Sequence, residues 1–568
     1  MNKRAIAYAA VCGAALSATL AGTIATVGFR ELPGIFSPDT RLLLLAGITL
    51  VCFIATAGLC YLLFRKADRL LKWADRKNPL PALPLDFHSK SILVAMLVML
   101  ICWLPWIILQ YPCAMNGDTY NQLYQFQTSA PTYYSTIMTT VPESYVDHHP
   151  VFDTLLFGAF LTLGDVIGSQ NLGLFAYSLF QCALTAGGLA LSCCYLERLG
   201  VPKVFRLITL VFCALFPPIP MWATAMVKDP LNAAVFIYFM VLFAEGIRTR
   251  GDVFDNVRMV VLYIVLASLV ILTKKSGALV VGAGSLALLL YARQHWKAMA
   301  LNLVTPLAIC LVIVPAVVYP AIGGVASGGK QEAFGFAFQQ VVTAVRDNDD
   351  LSAEEREAVN AVLDLKAAVK AYEPNIVDPV KRKAVRDAET SDYLHFIGAY
   401  FTIGARHVGD YTYSIFSVIG TLIAPGRTFT YFHTPTQEDS WIKSFNRQDI
   451  NGELHLTFEK PAALEKAAAD VDAAWRAFVA ALGPFQLPFD AGFYGGWIPL
   501  FCLVVCLYGR KANAIALVPI FAFAAIVVIG PASSTRYVLP MLYTTPLMLG
   551  LACNALRAAC AARKEVRA

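Results

Sequence analysis

Long apolar runs, separated by short polar segments, follow one another along most of the chain. A helix that crosses a membrane needs about 20 predominantly apolar residues. The pattern predicts twelve such spans, at 6–29, 41–64, 91–111, 173–196, 205–222, 229–246, 257–273, 276–293, 299–321, 491–508, 512–530 and 537–556. The first span follows MNKR, as in a signal peptide, but no convincing A-x-A cleavage site comes after it, so we expect this helix to be retained.

One further apolar stretch, 150–167, does not fit a full crossing. It is short and contains Asp153 and Asp165, whose charges would be costly inside a bilayer. We therefore expect a half-inserted or interfacial helix there, within one long polar loop at 112–172.

The distribution of basic residues orients the predicted spans, because cytoplasmic segments of membrane proteins carry an excess of Lys and Arg. If the N-terminus is cytoplasmic, the segments on that side hold 23 Lys and Arg residues, and the short segments on the other side hold six. Those six are Arg30, Arg41, Lys228, Lys274, Lys275 and Arg536. The ratio predicts that both termini are cytoplasmic, provided that 150–167 does not cross.

The longest polar segment, 323–490, is predicted to be extracytoplasmic. Its 168 residues contain 16 Lys and Arg against 23 Asp and Glu, and no Cys. The pattern predicts a charged helix, a turn, a partly apolar stretch too broken to be a span, and an amphipathic helix, at 351–372, 374–383, 393–424 and 462–482. Ser352 and Glu355 have the spacing of a capping box at the start of the charged helix.

Composition excludes several classes of protein. Hydrophobic residues make up 57% of the chain and charged residues 15%, whereas soluble domains carry about 25% charged residues. Such a chain cannot cover its surface in water, which excludes a soluble enzyme, a disordered chain, a disulfide-rich secreted module and a nucleic-acid binder. Most of the 14 Cys lie in apolar stretches, and no CxxC pair lies beside a His cluster, so neither structural zinc nor a disulfide framework is expected.

We therefore predict an all-α polytopic membrane protein with about 12 transmembrane helices, in four parts. The parts are two N-terminal spans with a basic cytoplasmic loop, a transmembrane unit that includes the loop 112–172, a mostly helical extracytoplasmic insert, and three C-terminal spans with a cytoplasmic tail, at 1–90, 91–322, 323–490 and 491–568. The bilayer that the spans cross is predicted to be the cell membrane.

Several ionisable residues gather at span ends on the predicted outer side, where each needs a partner or a task. They are Asp118 in NGDTY, Asp147, His148 and His149 in DHHP, Lys228 and Asp229 in KDP, Lys274 and Lys275 in TKKSG, and Arg536 in STRYVLP. One outer-face site, built of carboxylates and of cations that suit a phosphate, would explain all of them together.

The two acids that follow span ends also have structural interpretations. Asp118 could be an ordinary acid in a loop. Asp229 could simply neutralise Lys228, or cap a helix whose first residue is Pro230.

The cations and histidines have structural interpretations as well. Lys274, Lys275 and Arg536 could extend to lipid headgroups. His148 and His149 lack a third ligand at metal spacing, so no metal site is predicted there.

Taken in order, these landmarks resemble the GT-C superfamily of integral-membrane glycosyltransferases, in particular protein mannosyltransferases and aminoarabinose transferases. The similar segments are NGDTY (116–120), HHPVFDTLLFGAFLTLG (148–164), YLERLGVPKVFR (195–206), MVKDPL (226–231), ILTKKSGALVV (271–281) and TRYVLP (535–540). The resemblance covers about 90–300 and a short stretch at 530–545. Ser276 departs from the family's pattern, because it intervenes between the lysines and the glycine.

The resemblance implies a seven-helix GT-C-like module in spans three to nine and transfer of a sugar from a polyprenyl-phosphate donor. The acceptor would be an extracytoplasmic glycan, lipid or protein. Asp118 is implied as the general base, and Asp229 as a second catalytic carboxylate that could orient Lys228, position the acceptor or bind a divalent ion. The residues implied to bind the substrates are Lys228, Lys274, Lys275, Arg536, His148, His149 and Asp147. No cofactor is implied, although some branches of the superfamily use a divalent cation.

Besides a structural membrane scaffold, two other classes of function remain open from the sequence. An O-antigen ligase or polymerase also has about twelve spans and a large outer loop, but its critical Arg and His residues usually lie within that loop, whereas here the charged set precedes it. A lipid or polysaccharide transporter usually shows repeated halves, and the sequence contains no internal repeat.

Overall fold

The computed structural model describes residues 3–28, 38–77, 80, 83–128, 145–325, 330–347, 349–385, 387–429, 456–528, 530 and 532–565. Within these residues the fold is helical, apart from isolated bridges and two short strands, β1 (Tyr145–Val146) and β2 (Gly324–Val325), which pair in parallel.

Twelve of the described helices precede β2, besides the short 3-10 helix Asp252–Asp255. They are α1 (Lys3–Thr23), α2 (Pro38–Asp75), α3 (Ser89–Leu109), α4 (Gly117–Thr128), α5 (Val151–Val166), α6 (Gln170–Tyr195), α7 (Lys203–Leu215), α8 (Pro218–Ala223), α9 (Lys228–Arg248), α10 (Val257–Thr273), α11 (Gly277–Tyr291) and α12 (Arg293–Ala321). A π-helical stretch, Ile309–Val318, lies within α12, where Pro315 removes a backbone donor.

The helices after β2 form the insert and the C-terminal part. They are α13 (Lys330–Asp347), α14 (Ala353–Val362), α15 (Leu365–Ala371), α16 (Asp378–Lys381), α17 (Thr390–Arg406), α18 (Val408–Ile423), α19 (Ala462–Ala481), α20 (Phe493–Gly509), α21 (Lys511–Val527) and α22 (Thr535–Glu565).

Seven of the described helices are long and apolar enough to cross a membrane: α1, α2, α3, α6, α9, α12 and α22. Four shorter apolar helices are α10, α11, α20 and α21. Eleven of the predicted spans therefore fall on an apolar helix, and the chain is a helical membrane protein. The number of crossings stays a prediction.

The predicted span at 205–222 is broken into two helices, α7 and α8. Phe216 is extended, with φ −78° and ψ 106°, and Pro217 follows it. A residue before proline is disfavoured in the helical region, and proline cannot donate to the preceding turn, so the FPP sequence ends α7.

Burial separates central from peripheral helices. In the apolar stretch of α9, 94% of residues are buried, because α6, α10 and α22 surround it. In the apolar stretch of α2 none is buried, which fits contact with lipid rather than water.

The N-terminal pair α1 and α2 packs on the C-terminal helices. The rings of Phe64 and Tyr508 stack with their centres 4.1 Å apart, and Arg4 Nη2 donates to Tyr508 O over 2.7 Å. The insert also reaches this pair, because α18 packs against α1.

The insert has its own apolar core, centred on Phe338, Val359 and Phe396. The capping box of Ser352 and Glu355 is confirmed at the start of α14. The predicted charged helix is two helices rather than one, because Asp364 caps α15.

The other predicted elements of the insert also form helices. The predicted turn at 374–383 contains the one-turn α16, and the stretch 393–424 lies in α17 and α18, which meet at His407. The predicted amphipathic helix is confirmed as α19.

Candidate functional site

Five parts of the chain meet at one end of the helices. They are the start of α4 with Asp118, the loop before α5 with Asp147, His148 and His149, the start of α9 with Lys228 and Asp229, the turn between α10 and α11 with Lys274 and Lys275, and the start of α22 with Arg536. We call these nine residues the charged cluster.

Backbone contacts fix the start of α4 beside the start of α9. Ala114 and Ala225 form a parallel bridge, and the Met226 amide donates to Ala114 O over 2.8 Å. The Thr119 hydroxyl donates to Met226 O, and the Gln181 amide from α6 donates to Ala225 O over 2.7 Å. The backbone segments that carry Asp118 and Lys228 are therefore held side by side.

The turn between α10 and α11 is held against α9 by Asn232. Its amide donates to Val270 O over 2.9 Å and to the Thr273 hydroxyl over 2.8 Å. Gly277 closes the turn, because a Cβ atom there would lie 2.4 Å from Val270 O. This close approach sets where Lys274 can point.

The two carboxylates predicted to be catalytic are joined through Arg536. Asp118 Oδ2 lies 2.8 Å from Arg536 Nη1 and 3.7 Å from Lys228 Nζ. Asp229 Oδ1 lies 2.6 Å from Lys274 Nζ, and its Oδ2 lies 3.4 Å from Arg536 Nε. The chain of ion pairs therefore runs from Lys228 through Asp118, Arg536 and Asp229 to Lys274.

The loop before α5 adds a second branch to the charged cluster. Lys275 Nζ lies 2.9 Å from Asp147 Oδ2, and Tyr319 lies close enough to Asp147 to interact with it. Lys228 Nζ donates to His149 Nδ1 over 2.9 Å, because an ammonium can only donate.

Opposing effects act on the Asp118 carboxyl. Burial favours its neutral form, but Arg536 and Lys228 outweigh that effect and hold the pKa of Asp118 well below its usual range. Asp118 is therefore a bound carboxylate and, with these partners in place, a weak base.

Both histidines are neutral at physiological pH. Burial, with the neighbouring Lys228 charge, lowers the pKa of His149 well below its usual value and that of His148 to about 3. Neutral His149 can accept from Lys228, which leaves the positive charge on the lysine.

Three lysines of the charged cluster line a cavity of about 300 Å³. Lys228, Lys274 and Lys275 share its wall with His148 and Tyr537. The ammonium of Lys274 lies 4.9 Å from the ring centre of Tyr537. The cavity therefore presents ammonium groups beside an aromatic face.

The predicted outer-face site of carboxylates and cations is not one shared cavity, because Asp118 and Asp229 do not line this one. Asp118 and Asp229 contact its wall through Lys228 and Lys274. A molecule in the cavity therefore meets the lysines before it meets the carboxylates.

An apolar groove adjoins this cavity. Its volume is about 340 Å³, and side chains of α5, α10 and α12 form most of its wall. Pro150 and Lys275 line both spaces, so Lys275 lies where the groove meets the cavity.

The structural interpretation of Lys228 and Asp229 as a self-neutralising pair is wrong. Each contacts a partner on another element, and Asp229 makes no capping hydrogen bond, because Val227 occupies the cap position of α9. The interpretation that the cations extend to lipid headgroups does not fit Lys274 and Arg536. Their side chains are only 15% and 18% exposed and lie in ion pairs, whereas the side chain of Lys275 is 46% exposed.

Sequence reasoning missed two residues that touch the charged cluster. Tyr319 contacts Asp147, and Glu332 Oε1 on α13 lies 3.8 Å from His148 Nδ1. Their signal was weak, since one ends an apolar span and the other lies in a segment with 23 acids. Among the described residues, no group of three His, Cys, Asp or Glu side chains is arranged to hold a metal ion.

The fold and these contacts define a polytopic helical membrane protein with a charged cluster at one end of its helices. The chain belongs to a family of unknown function, DUF6020, whose profile matches residues 85–407, more than half of the 568 residues. Comparison with curated proteins and with solved structures found no match.

Proposed function

We propose that the protein is a membrane glycosyltransferase that moves a sugar from a polyprenyl-phosphate donor to an extracytoplasmic acceptor. The observation that carries the proposal is the basic cavity that joins an apolar groove at Lys275. A polyprenyl phosphate has the same division, since a long apolar chain ends in an anionic phosphate. The sequence resemblance to GT-C enzymes points to the same class of donor.

In the proposed reaction the donor phosphate contacts the lysines of the cavity, and its apolar chain enters the groove. Lysine acts on phosphate as a point charge, whereas Arg536 offers a planar fork. These cations stabilise the charge that develops on the phosphate as the sugar leaves.

Asp118 acts as the general base in this proposal. The acceptor oxygen forms a bond to the anomeric carbon, and the bond from that carbon to the phosphate oxygen breaks with its electron pair on the phosphate. The proton of the acceptor hydroxyl passes to Asp118. Asp229 orients Lys274 and Arg536, which it contacts at 2.6 and 3.4 Å.

The proposal includes an orientation in the cell membrane. The charged cluster and the insert at 323–490 face outward, and both termini are cytoplasmic, as the distribution of Lys and Arg indicates. The twelve-span layout, with 150–167 kept on the outer side, belongs to this proposal.

Lipid extracts from a deletion strain test the proposal. A strain without the gene should accumulate one polyprenyl-phosphate-linked sugar, which mass spectrometry would identify, and should lack one surface modification. Restoring the wild-type chain should reverse both changes. An unchanged set of polyprenyl-phosphate-linked sugars would contradict the proposed donor class.

A further inference from the structure

Every cation of the charged cluster is already held by a carboxylate. Lys228 and Arg536 contact Asp118, Lys274 contacts Asp229, and Lys275 contacts Asp147. With both histidines neutral, four cations face three carboxylates, so the cluster carries one net positive charge. A phosphate that enters the cavity must therefore share cations with these acids.

Asp118 takes part in that competition through Lys228. Its Oδ2 atom lies 2.8 Å from Arg536 Nη1 and 3.7 Å from Lys228 Nζ, and Lys228 is the one of these two cations that lines the cavity. The charged or titratable groups with the largest effects on Asp118 are Arg536, Lys228 and His149, and His148 also interacts with it. Only Arg536 and Lys228 carry charge at neutral pH, because both histidines are neutral.

We propose that the donor phosphate and Asp118 compete for Lys228 and Arg536, so that binding of the phosphate releases the Asp118 carboxylate for proton transfer. This inference rests on the proposed function and adds how donor binding regulates the general base. Asp118 is a weak base while the donor is absent and becomes a stronger one when the phosphate takes its cations. The low pKa of Asp118 beside Arg536 and Lys228 agrees with the first of these two states.

The competition orders the proposed reaction. The proton of the acceptor hydroxyl moves to Asp118 only after the lipid phosphate is bound, as the acceptor oxygen bonds to the anomeric carbon and the bond to the phosphate oxygen breaks. The electron pair of that bond stays on the phosphate. Before the donor binds, Lys228 and Arg536 keep Asp118 a weak base.

Binding of farnesyl phosphate to the purified full chain tests the competition. Asp118→Asn keeps the shape of the side chain and removes the competing charge. The charge-assisted hydrogen bond from Arg536 to Asp118 no longer opposes the phosphate in this variant. Farnesyl phosphate should therefore bind about tenfold more tightly than to the wild type. A merely structural role for Asp118 predicts weaker binding or none.

Asp165→Asn is the matched control. Asp165 is exposed near the other end of α5 and accepts from Gln170 Nε2 over 2.8 Å, a bond that an Asn oxygen can also accept. This variant removes one acid from the same helical region without touching the charged cluster. Its affinity for farnesyl phosphate should equal that of the wild type.

Measurements with different ligands distinguish failure of the competition at Asp118 from failure of the proposed lipid-phosphate donor. Tighter binding by Asp118→Asn, with unchanged binding by Asp165→Asn, supports the competition. Equal or weaker binding by a folded Asp118→Asn protein overturns the competition and leaves the donor class standing. If the wild type binds farnesol or inorganic phosphate as well as farnesyl phosphate, or does not bind farnesyl phosphate at all, the proposed lipid-phosphate donor fails and the competition with it.

A double substitution keeps the test decisive if Asp118→Asn does not fold. Removing one partner of a buried ion pair leaves an uncompensated charge, whereas removing both does not. The protein with Asp118→Asn and Arg536→Gln together should bind farnesyl phosphate more tightly than Arg536→Gln alone, because Lys228 is still released. The gain should be smaller than tenfold, and no gain would overturn the competition.

Discussion

Arg536 contacts Asp118 through Nη1 and Asp229 through Nε. One guanidinium therefore links the two carboxylates to which the proposal gives roles in transfer. Substitutions at residues that share one ion-pair network are not additive, so their effects must be measured in combination. Arg536 is the position where such combinations are most informative.

Asp118→Asn should lower the rate of sugar transfer by about 10²–10⁴-fold, because a general base contributes typically that factor. Binding of the lipid phosphate should persist, so the loss should fall on kcat. Transfer would be measured with the purified chain, and the yield of folded protein would be measured beside it.

Asp153→Asn is the comparison for that substitution. Asp153 is fully buried on α5, and neither of its carboxyl oxygens has a hydrogen-bond partner among the described residues. Burial raises the pKa of its carboxyl well above the usual range. Replacing this acid with an amide of the same shape should leave the rate within a few-fold of wild type. A folded Asp118→Asn protein with near-normal transfer would remove Asp118 from the proposed mechanism.

The members of the charged cluster could be predicted from the sequence, but their pairing could not. Lys228, Lys274, Lys275 and Arg536 were found as cations on the side where the positive-inside rule expects few. The Asp118–Arg536 contact joins residues 418 positions apart, and no local pattern encodes such a distance. The same limit hid Tyr319 and Glu332.

The turn between α10 and α11 depends on glycine. Gly277→Ala would place a Cβ atom 2.4 Å from Val270 O, so the backbone of one helix must shift. Overpacking of this kind costs about 1–3 kcal/mol, and the shift would move Lys274 away from Asp229. We expect a lower thermal unfolding midpoint in detergent and weaker binding of farnesyl phosphate.

Gly282→Ala is the control on the same helix, α11. A Cβ atom at Gly282 has no neighbour within 4 Å, and alanine favours helix more than glycine does. That variant should match or exceed the wild type in unfolding midpoint. Equal behaviour of the two alanine variants would show that the close approach at Gly277 has no consequence.

Glu355 has two roles at the start of α14. It accepts from the Ser352 amide over 3.0 Å and receives Arg406 Nη1 and Nη2 at 2.8 and 2.7 Å. Glu355→Ala removes both roles and should lower the stability of the insert by about 1 kcal/mol or more. Glu355→Gln keeps a capping acceptor and loses the charge, so its effect should be smaller.

The effect of Glu355 should depend on pH. Hydrogen bonds from Arg406 are the main cause that lowers the pKa of Glu355 to about 2, below its value of 4.5 in an unfolded chain. The charged interaction therefore stabilises the insert fully above pH 4.5 and is lost as the pH falls toward 2. The free energy of unfolding would be measured from pH 7 to pH 3 for the wild type and for Glu355→Gln. The two values should differ by a constant amount above pH 5 and converge below it. A constant difference over the whole range would contradict this.

Helix positions were predicted well because apolar runs and amphipathic periods are local signals. The errors occur where a single residue interrupts such a run. Pro217 separates α7 from α8, and Asp364 separates α14 from α15. The pattern of apolar positions continues through both breaks, so periodicity alone did not show them.

In the whole molecule, the charged cluster brings together parts of the chain that are far apart in sequence. The family profile ends at residue 407, yet Arg536 on α22 provides the closest cation to Asp118. A fragment limited to 85–407 would leave Asp118 without that partner. The complete chain is therefore the form in which function should be measured.

Labelling with a membrane-impermeant maleimide tests the proposed orientation. None of the 14 native Cys is exposed, so background labelling should be low. Glu357→Cys on α14 should react in intact cells, whereas Lys77→Cys after α2 should react only after the membrane is opened; both positions are exposed. The reverse pattern would invert the layout, and labelling of both sites in intact cells would contradict it.

The most direct measurement is sugar transfer by the purified full chain in proteoliposomes. The donor is the polyprenyl-phosphate-linked sugar that accumulates in the deletion strain, and the acceptor comes from the same strain. We predict that the wild type consumes the donor and releases polyprenyl phosphate as the acceptor gains the sugar. Asp118→Asn should bind the same donor and leave it intact. Folded wild-type protein that leaves donor and acceptor unchanged would contradict the proposed transferase.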